Sequence, residues 1–365
     1  MKKKKILLII NRKSGGGAEV VFQNLFDYFI EKGFNVKIFY HSEIKIKFAL
    51  FRIIYSYLRL ILFYYRELDV VISGLHEENF LNLLLLGKHK KILTIHSSET
   101  PSGIKNIIHD FMYRYANKSS IHLVFPSQQL CKQYQGRNPE MRGDVISNGL
   151  IAQARLERFH EKQNVLKNKK DKSLIKNFLF VGRFVEQKNI PLLLLTFQKI
   201  KKKIPEAQLT LAGDGPQRLL AEELIEKFGL INSVKMVGWV EDVSALYQKH
   251  DALLFTSSVE GFGNTIVEAL AFGLIVFSTD CEYGPREILL GSLSVDYQDR
   301  DYILGEEFAL IAYESNINNE IMSDRFISSI QEFCSKDHIC RPQALKNILN
   351  HYTIENMGRR YEELF

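Results

Sequence analysis

Two glutamates, Glu260 and Glu268, are the first residues of this chain whose spacing points to chemistry. Glu260 lies in a glycine-rich loop, and Glu268 follows eight residues later inside a helical apolar pattern. On a continuous helix that spacing corresponds to about 12 Å of rise, which exceeds the roughly 5 to 9.5 Å between the paired carboxyl groups of glycosidases. An acid/base pair is therefore not expected. The spacing suits two carboxylates that hold opposite ends of an elongated ligand through its hydroxyl groups.

Two cations could hold a phosphate between those ends. Arg183 and Lys188 stand five residues apart in GRFVEQK, on a loop after a predicted strand, and such a pair can straddle a diphosphate. The next such loop, AGDGP, places Gly213 and Gly215 before a helix, whose amino end also favours an anion. Either cation alone would be equally typical of a solvated turn. Together with the two glutamates they indicate a nucleotide sugar.

The first half also carries loops that could meet an anion. The strand Lys5 to Ile10 runs into NRKSGGG and a helical pattern, which is the first βα unit of a Rossmann-like fold. The glycines lack the GxGxxG spacing, so a dinucleotide is not indicated, and a simple tight turn is the alternative. His96 follows another strand, in TIHSSET. It could act as a base, a hydrogen-bond donor or a phosphate partner, or be an ordinary loop residue.

Strands must position these loops, and short apolar runs do alternate with helical patterns along the chain. A length of 365 residues suits two α/β domains with mostly parallel sheets. We predict domains over residues 1–165 and 166–345 and a terminal helix over 346–365, with the remaining helices of the second domain between Tyr297 and Lys336. The other predicted strands are Asn35 to Tyr40, Asp69 to Ser73, Lys91 to Ile95, Ile121 to Phe125, Phe178 to Gly182, Gln208 to Ala212, Val234 to Gly238 and Asp251 to Phe255.

Positive charge is concentrated in the first half. Residues 1–150 carry 22 Lys/Arg and 12 Asp/Glu, a net charge of +10, whereas the remainder carries −4. The segment Glu43 to Leu68 predicts a basic amphipathic helix rich in aromatic residues, which is typical of a helix in an anionic membrane interface. The alternative is a helix packed on the sheet with a solvated cationic stripe. The cations share one face because they recur every seven residues: Lys45, Arg52, Arg59 and Arg66.

Composition excludes several classes of protein. The chain is 46% hydrophobic and 25% charged, as folded soluble proteins are, and no run reaches the roughly 18 apolar residues of a membrane span. The apolar run after the N-terminal lysines is too short for a secretory signal. The cysteines show no metal or CxxC spacing, so we expect them to be reduced. We expect a cytoplasmic protein, peripheral on the inner face of the cytoplasmic membrane.

Eight short segments occur in the order seen in one enzyme family. They are GGGAE, HSSE, SNG, VGRFVEQKN, AGDGP, VGWVEDV, SSVEGFGNTIVEALAFG and GPREI. With them the chain resembles the retaining glycosyltransferases of family 4, and EGFGNTIVE is the most specific element. The resemblance implies the GT-B fold, in which two Rossmann-like domains face each other across a cleft. It also implies an acceptor-side first domain, a nucleotide-sugar-binding second domain and a C-terminal helix that crosses back to the first.

The resemblance further implies roles for the residues that match the family's motifs. Glu268 would hold the ribose hydroxyls, and Glu260, together with the backbone of Phe262, Gly263 and Asn264, would hold the donor sugar and the distal phosphate. Arg183 and Lys188 would neutralise the diphosphate leaving group, and His96 would lie beside C6 of the donor sugar. The other donor-binding positions would be Gly16, Gly17, Gly213 and Val240. One departure is Arg286 in GPREI, where many relatives have a small or aliphatic residue; another is a longer, lysine-rich linker.

The expected function is transfer of a hexose or N-acetylhexosamine from a UDP-sugar to a membrane-linked glycan such as a lipid-linked oligosaccharide, O-antigen, capsule or lipopolysaccharide. The family implies retention at the anomeric carbon by front-face displacement. No Asp-x-Asp pair follows a strand, so we expect no metal and no other cofactor. The alternatives are a nucleotide-sugar epimerase or phosphorylase of the same fold, or a non-catalytic polyanion-binding module. We expect no nucleic-acid partner, because binding a polyanion requires neither the glycine loops nor the paired glutamates.

Overall fold

The computed structural model describes residues 3–12, 16–41, 49–63, 68–96, 112–116, 119, 121–153, 175–294, 296–335 and 351–365. The chain divides into two compact units, one formed by residues 1–152 with 351–365 and the other by residues 153–350. The predicted boundaries at residues 165 and 345 lie outside the described residues. Each unit is an α/β unit built on one predominantly parallel sheet.

The first unit contains a six-stranded parallel sheet with the order β2-β1-β3-β4-β5-β6. Strand β1 lies between β2 and β3, and after Lys5 it consists of branched apolar residues that are almost completely buried, as expected for a strand covered on both faces. The strands are β1 (Lys5–Ile10), β2 (Asn35–Tyr40), β3 (Val70–Gly74), β4 (Lys90–Thr94), β5 (His122–Phe125) and β6 (Asp144–Val145). The helices between them are α1 (Gly17–Glu31), α2 (Ala49–Phe63), α3 (His76–Leu84) and α4 (Gln128–Arg137).

The second unit contains a seven-stranded sheet with the order β12-β13-β11-β10-β7-β8-β9, in which only β12 pairs antiparallel. The strands are β7 (Asn177–Val181), β8 (Gln208–Ala212), β9 (Val234–Gly238), β10 (Ala252–Phe255), β11 (Ile275–Thr279), β12 (Tyr302–Leu304) and β13 (Phe308–Ile311). The helices are α5 (Ile190–Lys203), α6 (Arg218–Lys227), α7 (Ser244–Lys249), α8 (Asn264–Ala271), α9 (Pro285–Leu290) and α10 (Asn319–Ser335), and Glu186–Lys188 forms a 3-10 turn.

The region Tyr297 to Lys336 corrects one expectation, because it was predicted to contain only helices. It supplies strands β12 and β13 before helix α10 begins. All four residues of β13 are buried, and the strand extends the sheet beside β11. A four-residue apolar run has too little periodicity to separate a buried strand from part of a helix, so the neighbouring strand decides its conformation.

The last helix, α11 (Ile354–Glu362), packs on the first unit. The Thr353 side chain caps it by accepting a hydrogen bond from the amide of Asn356. Tyr28 on α1 donates to Glu362 at 2.7 Å, and Gly358 lets α11 approach closely, since a Cβ there would lie 2.2 Å from the Tyr28 ring. The C-terminal residues are therefore part of the first unit.

Candidate active site

A lysine–glutamate ion pair occupies the carboxyl edge of the second sheet. Lys188 ends the 3-10 turn that follows β7, and its Nζ lies 2.5 Å from Oε1 of Glu260, in the loop after β10. The two side chains are only 15% and 10% exposed. Two charges removed from water in this way stabilise each other only in a well-defined geometry. Because the ammonium group carries three N–H donors, it can also bind a second anionic group.

The two loops that carry this pair are joined to each other. The Thr256 hydroxyl donates to the carbonyl of Lys188 at 2.9 Å. The Gln187 side chain donates to the carbonyl of Val259 at 2.8 Å, and the amide of Ser258 donates back to the Gln187 carbonyl at 2.8 Å. The loop after β10 and the turn after β7 therefore form one hydrogen-bonded structure, which fixes the position of the ion pair.

Glu268 lies in helix α8 and has a different environment. Tyr247 in α7 donates to its Oε2 at 2.7 Å, and the Tyr247 ring stacks on Phe272 with an interplanar angle of 16°. Burial raises the pKa of Glu268 to about 7, while the hydrogen bond from Tyr247 opposes that rise. Tyr247 was not predicted as a site residue, because nothing in the sequence around it marks a tyrosine that contacts a glutamate 21 residues later.

Glycine backbones complete this edge of the sheet. Gly213 has a φ of +146°, and a Cβ there would lie 1.8 Å from the carbonyl oxygen of Gly182. The loops after β7 and β8 therefore touch through their main chains, which only glycine allows. Gly263, with a φ of +95°, precedes the first residue of α8, Asn264, so the positive amino end of that helix adjoins the ion pair's loop.

The structure places the other predicted residues of the second unit on neighbouring loops. Arg183 follows β7 and is exposed, and no carboxylate among the described residues pairs with it. Val240 follows β9 and is partly buried, while Phe262 is only 4% exposed. All of these loops leave the carboxyl ends of parallel strands, where open α/β sheets bind ligands. Lys188 and Glu260 contact each other directly, and the loop of Glu260 leads into the start of α8, whereas Arg183 and Val240 lie on neighbouring loops.

The candidates of the first unit are uncharged. Gly16 caps α1, and a Cβ there would lie 2.5 Å from Oε2 of Glu19; Gly17 begins the helix. Burial lowers the pKa of His96 to about 4, so this imidazole is neutral at pH 7, and its Nε2 has no hydrogen-bond partner among the described residues. His96 can therefore donate or accept a hydrogen bond, but it does not supply a positive charge to a phosphate at neutral pH.

The predicted basic helix has an orientation that the sequence did not indicate. Arg52 donates from Nη2 to Glu77 on α3 at 2.7 Å, and the guanidinium group of Arg59 lies 5.7 Å from the centre of the Phe39 ring. These two cations therefore contact the body of the first unit and do not form an exposed stripe; Lys45 and Arg66 lie outside the described residues. Equal spacing puts residues on one face but does not decide whether that face is buried.

Among the residues that the structure describes, no group of three or more His, Cys, Asp or Glu side chains is arranged to hold a metal ion. The absence of a metal requirement stays a prediction. Within the same residues, every helix is too short or too polar to span a bilayer.

The part of the chain that carries the Lys188–Glu260 ion pair matches a known protein family. Residues 158–290 match the family of glycosyl transferases group 1. The matched range contains Arg183, Lys188, Glu260 and Glu268, and it ends at the last residue of α9. The predicted resemblance to glycosyltransferases is therefore confirmed at the level of this family.

Individual relatives agree with this family. An uncharacterized glycosyltransferase of Methanocaldococcus jannaschii is 38% identical over 118 residues, which cover 32% of this chain and 29% of that protein. The lipopolysaccharide 1,6-galactosyltransferase of Salmonella typhimurium is 30% identical over 177 residues, or 40% of this chain and 48% of the relative. The matched segments thus span less than half of either relative.

Solved structures extend the comparison to the whole chain. Anabaena Alr3699/HepE in complex with UDP and glucose superposes with a TM-score of 0.68 over 99% of this chain and 98% of that one, at 17% identity. An identity this low carries information on the fold alone. The predicted fold class is confirmed: the chain has the GT-B glycosyltransferase fold with two Rossmann-like units.

Proposed function

We propose that this protein is a retaining glycosyltransferase that moves a hexose or N-acetylhexosamine from a UDP-sugar to a membrane-linked glycan. The observation that carries the proposal is the buried Lys188–Glu260 pair beside the amino end of the helix that holds Glu268. This arrangement offers a cation to a diphosphate, a carboxylate to the sugar and a second carboxylate to the ribose. Arg183, which is exposed on the loop after β7, supplies another cation to the same leaving group.

The difficult step is departure of UDP, because negative charge grows on the phosphate oxygen as its bond to the anomeric carbon breaks. Lys188, Arg183 and the amino end of α8 are fixed positive groups that can stabilise this charge without rearranging. In a front-face displacement, the acceptor oxygen bonds to the anomeric carbon and its proton passes to the departing phosphate. Retention follows from attack on the same face, and the proposed reaction uses no metal.

The proposed acceptor is a glycan attached to a membrane lipid. One relative is named a lipopolysaccharide 1,6-galactosyltransferase, and another is named for an acceptor on undecaprenol diphosphate. Both names describe glycans held at a membrane, which supports the same class of acceptor here. We place the protein peripherally on the inner face of the cytoplasmic membrane, where nucleotide sugars are available to it.

Helix α2 supports membrane contact by apolar insertion. Its polar side chains face inward: Ser56 is completely buried against His41, and Arg52 pairs with Glu77. The outward side chains are aliphatic or aromatic, so the usual arrangement of an amphipathic surface helix is reversed. A face of this kind in a positively charged half of the chain suits an anionic bilayer. The most exposed apolar residues of α2 are Phe51, Ile54, Tyr55, Leu58 and Leu62.

Flotation with phosphatidylglycerol vesicles tests the membrane contact. The wild type is expected to float, and the variant with both Leu58→Ser and Leu62→Ser is expected to stay with the unbound protein. Leu219→Ser is the matched control, because Leu219 is 71% exposed on α6 and Leu62 is 73% exposed on α2. Equal flotation of wild type and the double variant would show that α2 does not make the membrane contact. If neither protein floats, the proposed membrane association is wrong.

The transferase proposal is tested by screening UDP-sugars for thermal stabilisation, since a ligand that binds only the native state raises its apparent stability. The stabilising donor is then incubated with and without lipid-linked glycan. We expect sugar transfer and UDP release only when the acceptor is present, with the α configuration of the donor kept in the product. Free sugar phosphate or a new UDP-sugar without acceptor would favour a phosphorylase or an epimerase. Salt-dependent oligonucleotide binding that survives Glu268→Ala would favour a polyanion-binding module.

A further inference from the structure

We propose that Arg286 is a positioning residue, which acts through Asp280 to hold the loop of Glu260 in its binding geometry. The inference rests on the proposed function, because it assigns to this loop the sugar and distal phosphate of a donor. Arg286 is also the residue of GPREI that departs from the family's common pattern. Its contacts give that departure a physical role.

The centre of this arrangement is a buried carboxylate. Asp280 directly follows β11, and its side chain is 1% exposed. Arg286, at the start of α9, donates from Nε to Oδ1 at 2.9 Å and from Nη2 to Oδ2 at 2.8 Å. Tyr297 donates to Oδ2 at 2.8 Å. The two parallel bonds of an arginine fork fix both distance and orientation, so they join the start of α9 rigidly to the end of β11.

Between the two bonded residues, the chain passes directly beneath the Glu260 loop. The carbonyl of Glu282 accepts a hydrogen bond from the amide of Glu260 at 3.1 Å, and Glu282 forms an isolated parallel bridge with Val259. Gly284 has a φ of +111°, and a Cβ there would lie 1.6 Å from the carbonyl oxygen of Phe262. Residues 281–284 therefore support the backbone of residues 259–262 through main-chain contacts.

These contacts define how Arg286 would influence a donor that it does not touch. The Asp280–Arg286 ion pair fixes the backbone of residues 281–284. Those residues in turn fix the position of the loop that contains Glu260 and Phe262. A shift of about 1 Å at a binding loop can lower a rate by about a hundredfold. Glu268 is held by Tyr247 from α7, which is a separate contact. Loss of the fork should therefore disturb the sugar end of the donor site and spare its nucleoside end.

The test compares Arg286→Gln, Arg286→Lys and wild type. We expect Arg286→Gln to lower kcat/KM by about tenfold to a hundredfold and to weaken UDP-sugar binding, while the affinity for uridine is unchanged. Arg286→Lys should restore activity only in part, since lysine keeps the charge but not the bidentate geometry. Lys199→Gln is the control: Lys199 bonds to Asp324 at 2.7 Å in the same unit, and its loss should leave donor binding at the wild-type level.

Amide hydrogen exchange supplies a readout that does not depend on activity. In Arg286→Gln the amides of Glu260 to Asn264 should exchange faster than in wild type, and those of α5 should not change. Equal exchange in the two proteins, or equal loss of uridine and UDP-sugar affinity, would overturn the positioning role. If wild type binds no UDP-sugar at all, the proposed function fails, whereas the exchange result still decides whether Arg286 holds the loop.

Discussion

The two units place different chemistry on similar sheets. Residues 1–150 carry a net charge of +10, yet the described candidates of the first unit are glycines and a neutral histidine, and two of its predicted membrane-binding cations face the protein. The rest of the chain carries −4, yet it holds Arg183 and Lys188 at its sheet edge. Net charge is therefore a poor guide to the phosphate site that we propose. The buried Lys188–Glu260 pair is a better one, because a buried cation keeps its charge and position where a carboxylate meets it.

Removing a cation from the second unit should lower the rate of sugar transfer more than any of the other substitutions. Lys188→Ala should lower the transfer rate by about a hundredfold to a thousandfold. The substitution removes the positive charge that would stabilise the departing diphosphate, and it leaves Glu260 buried without its partner. Transfer is measured at saturating UDP-sugar. Arg183→Ala should act in the same direction, and Lys199→Ala, in helix α5 of the same unit, should not. A wild-type rate in Lys188→Ala would contradict the assignment.

A second prediction concerns pH and Glu268. Its pKa is raised from 4.5 in the unfolded chain to about 7 in the folded protein. The stability that the neutral acid contributes is therefore fully present below about pH 4.5 and lost as pH rises through about 7. Glu268→Gln remains neutral, so it should melt at a higher temperature than wild type at about pH 8 and at a similar temperature at about pH 4.5.

The same substitution should weaken UDP binding at pH 8, because an amide oxygen accepts hydrogen bonds from ribose hydroxyls less strongly than a carboxylate does. A variant that is more stable but binds less well is expected when the replaced group destabilises the fold and serves binding. If Glu268→Gln lowers the melting temperature at about pH 8, the carboxylate stabilises the fold, and its proposed role as a ligand-binding group is contradicted.

The smallest effect is expected in the first unit. Hydrogen bonds from His41 and Arg52 lower the pKa of Glu77 to about 2. This depressed pKa gives stability that is present above about pH 4.5 and lost as pH falls through about 2. Glu77→Gln should lower the melting temperature modestly at pH 7, since the side chain is 43% exposed and screened by water. The difference from wild type should shrink on acidification, and UDP affinity should not change. A large loss of UDP affinity would contradict the separation of the two units.

The sequence was most informative where local pattern and final environment agree. Strands β1, β2, β8 and β9 begin and end at the predicted residues, because their apolar runs and flanking turns specify them locally. Strand β13 was missed, since its four residues become a strand only beside β11. The orientation of Arg52 depends on Glu77, 25 residues away.

The site shows the same division. Glu260, Lys188 and the glycine loops could be named because each follows a strand and a motif. Tyr247 and the Asp280–Arg286 contact could not, because both depend on pairs of residues brought together by tertiary packing. The roles of the named residues remain predictions until ligands are measured.

In the proposed function, the second unit holds a nucleotide sugar with Lys188 at the diphosphate and Glu268 at the ribose. Calorimetric titration with UDP and with uridine distinguishes these two contacts. Wild type should bind UDP more tightly than uridine; Lys188→Ala should lose about tenfold or more of its UDP affinity and keep its uridine affinity, whereas Glu268→Gln should weaken both. Equal UDP affinity in wild type and Lys188→Ala, or no binding of UDP to wild type, would contradict the claim.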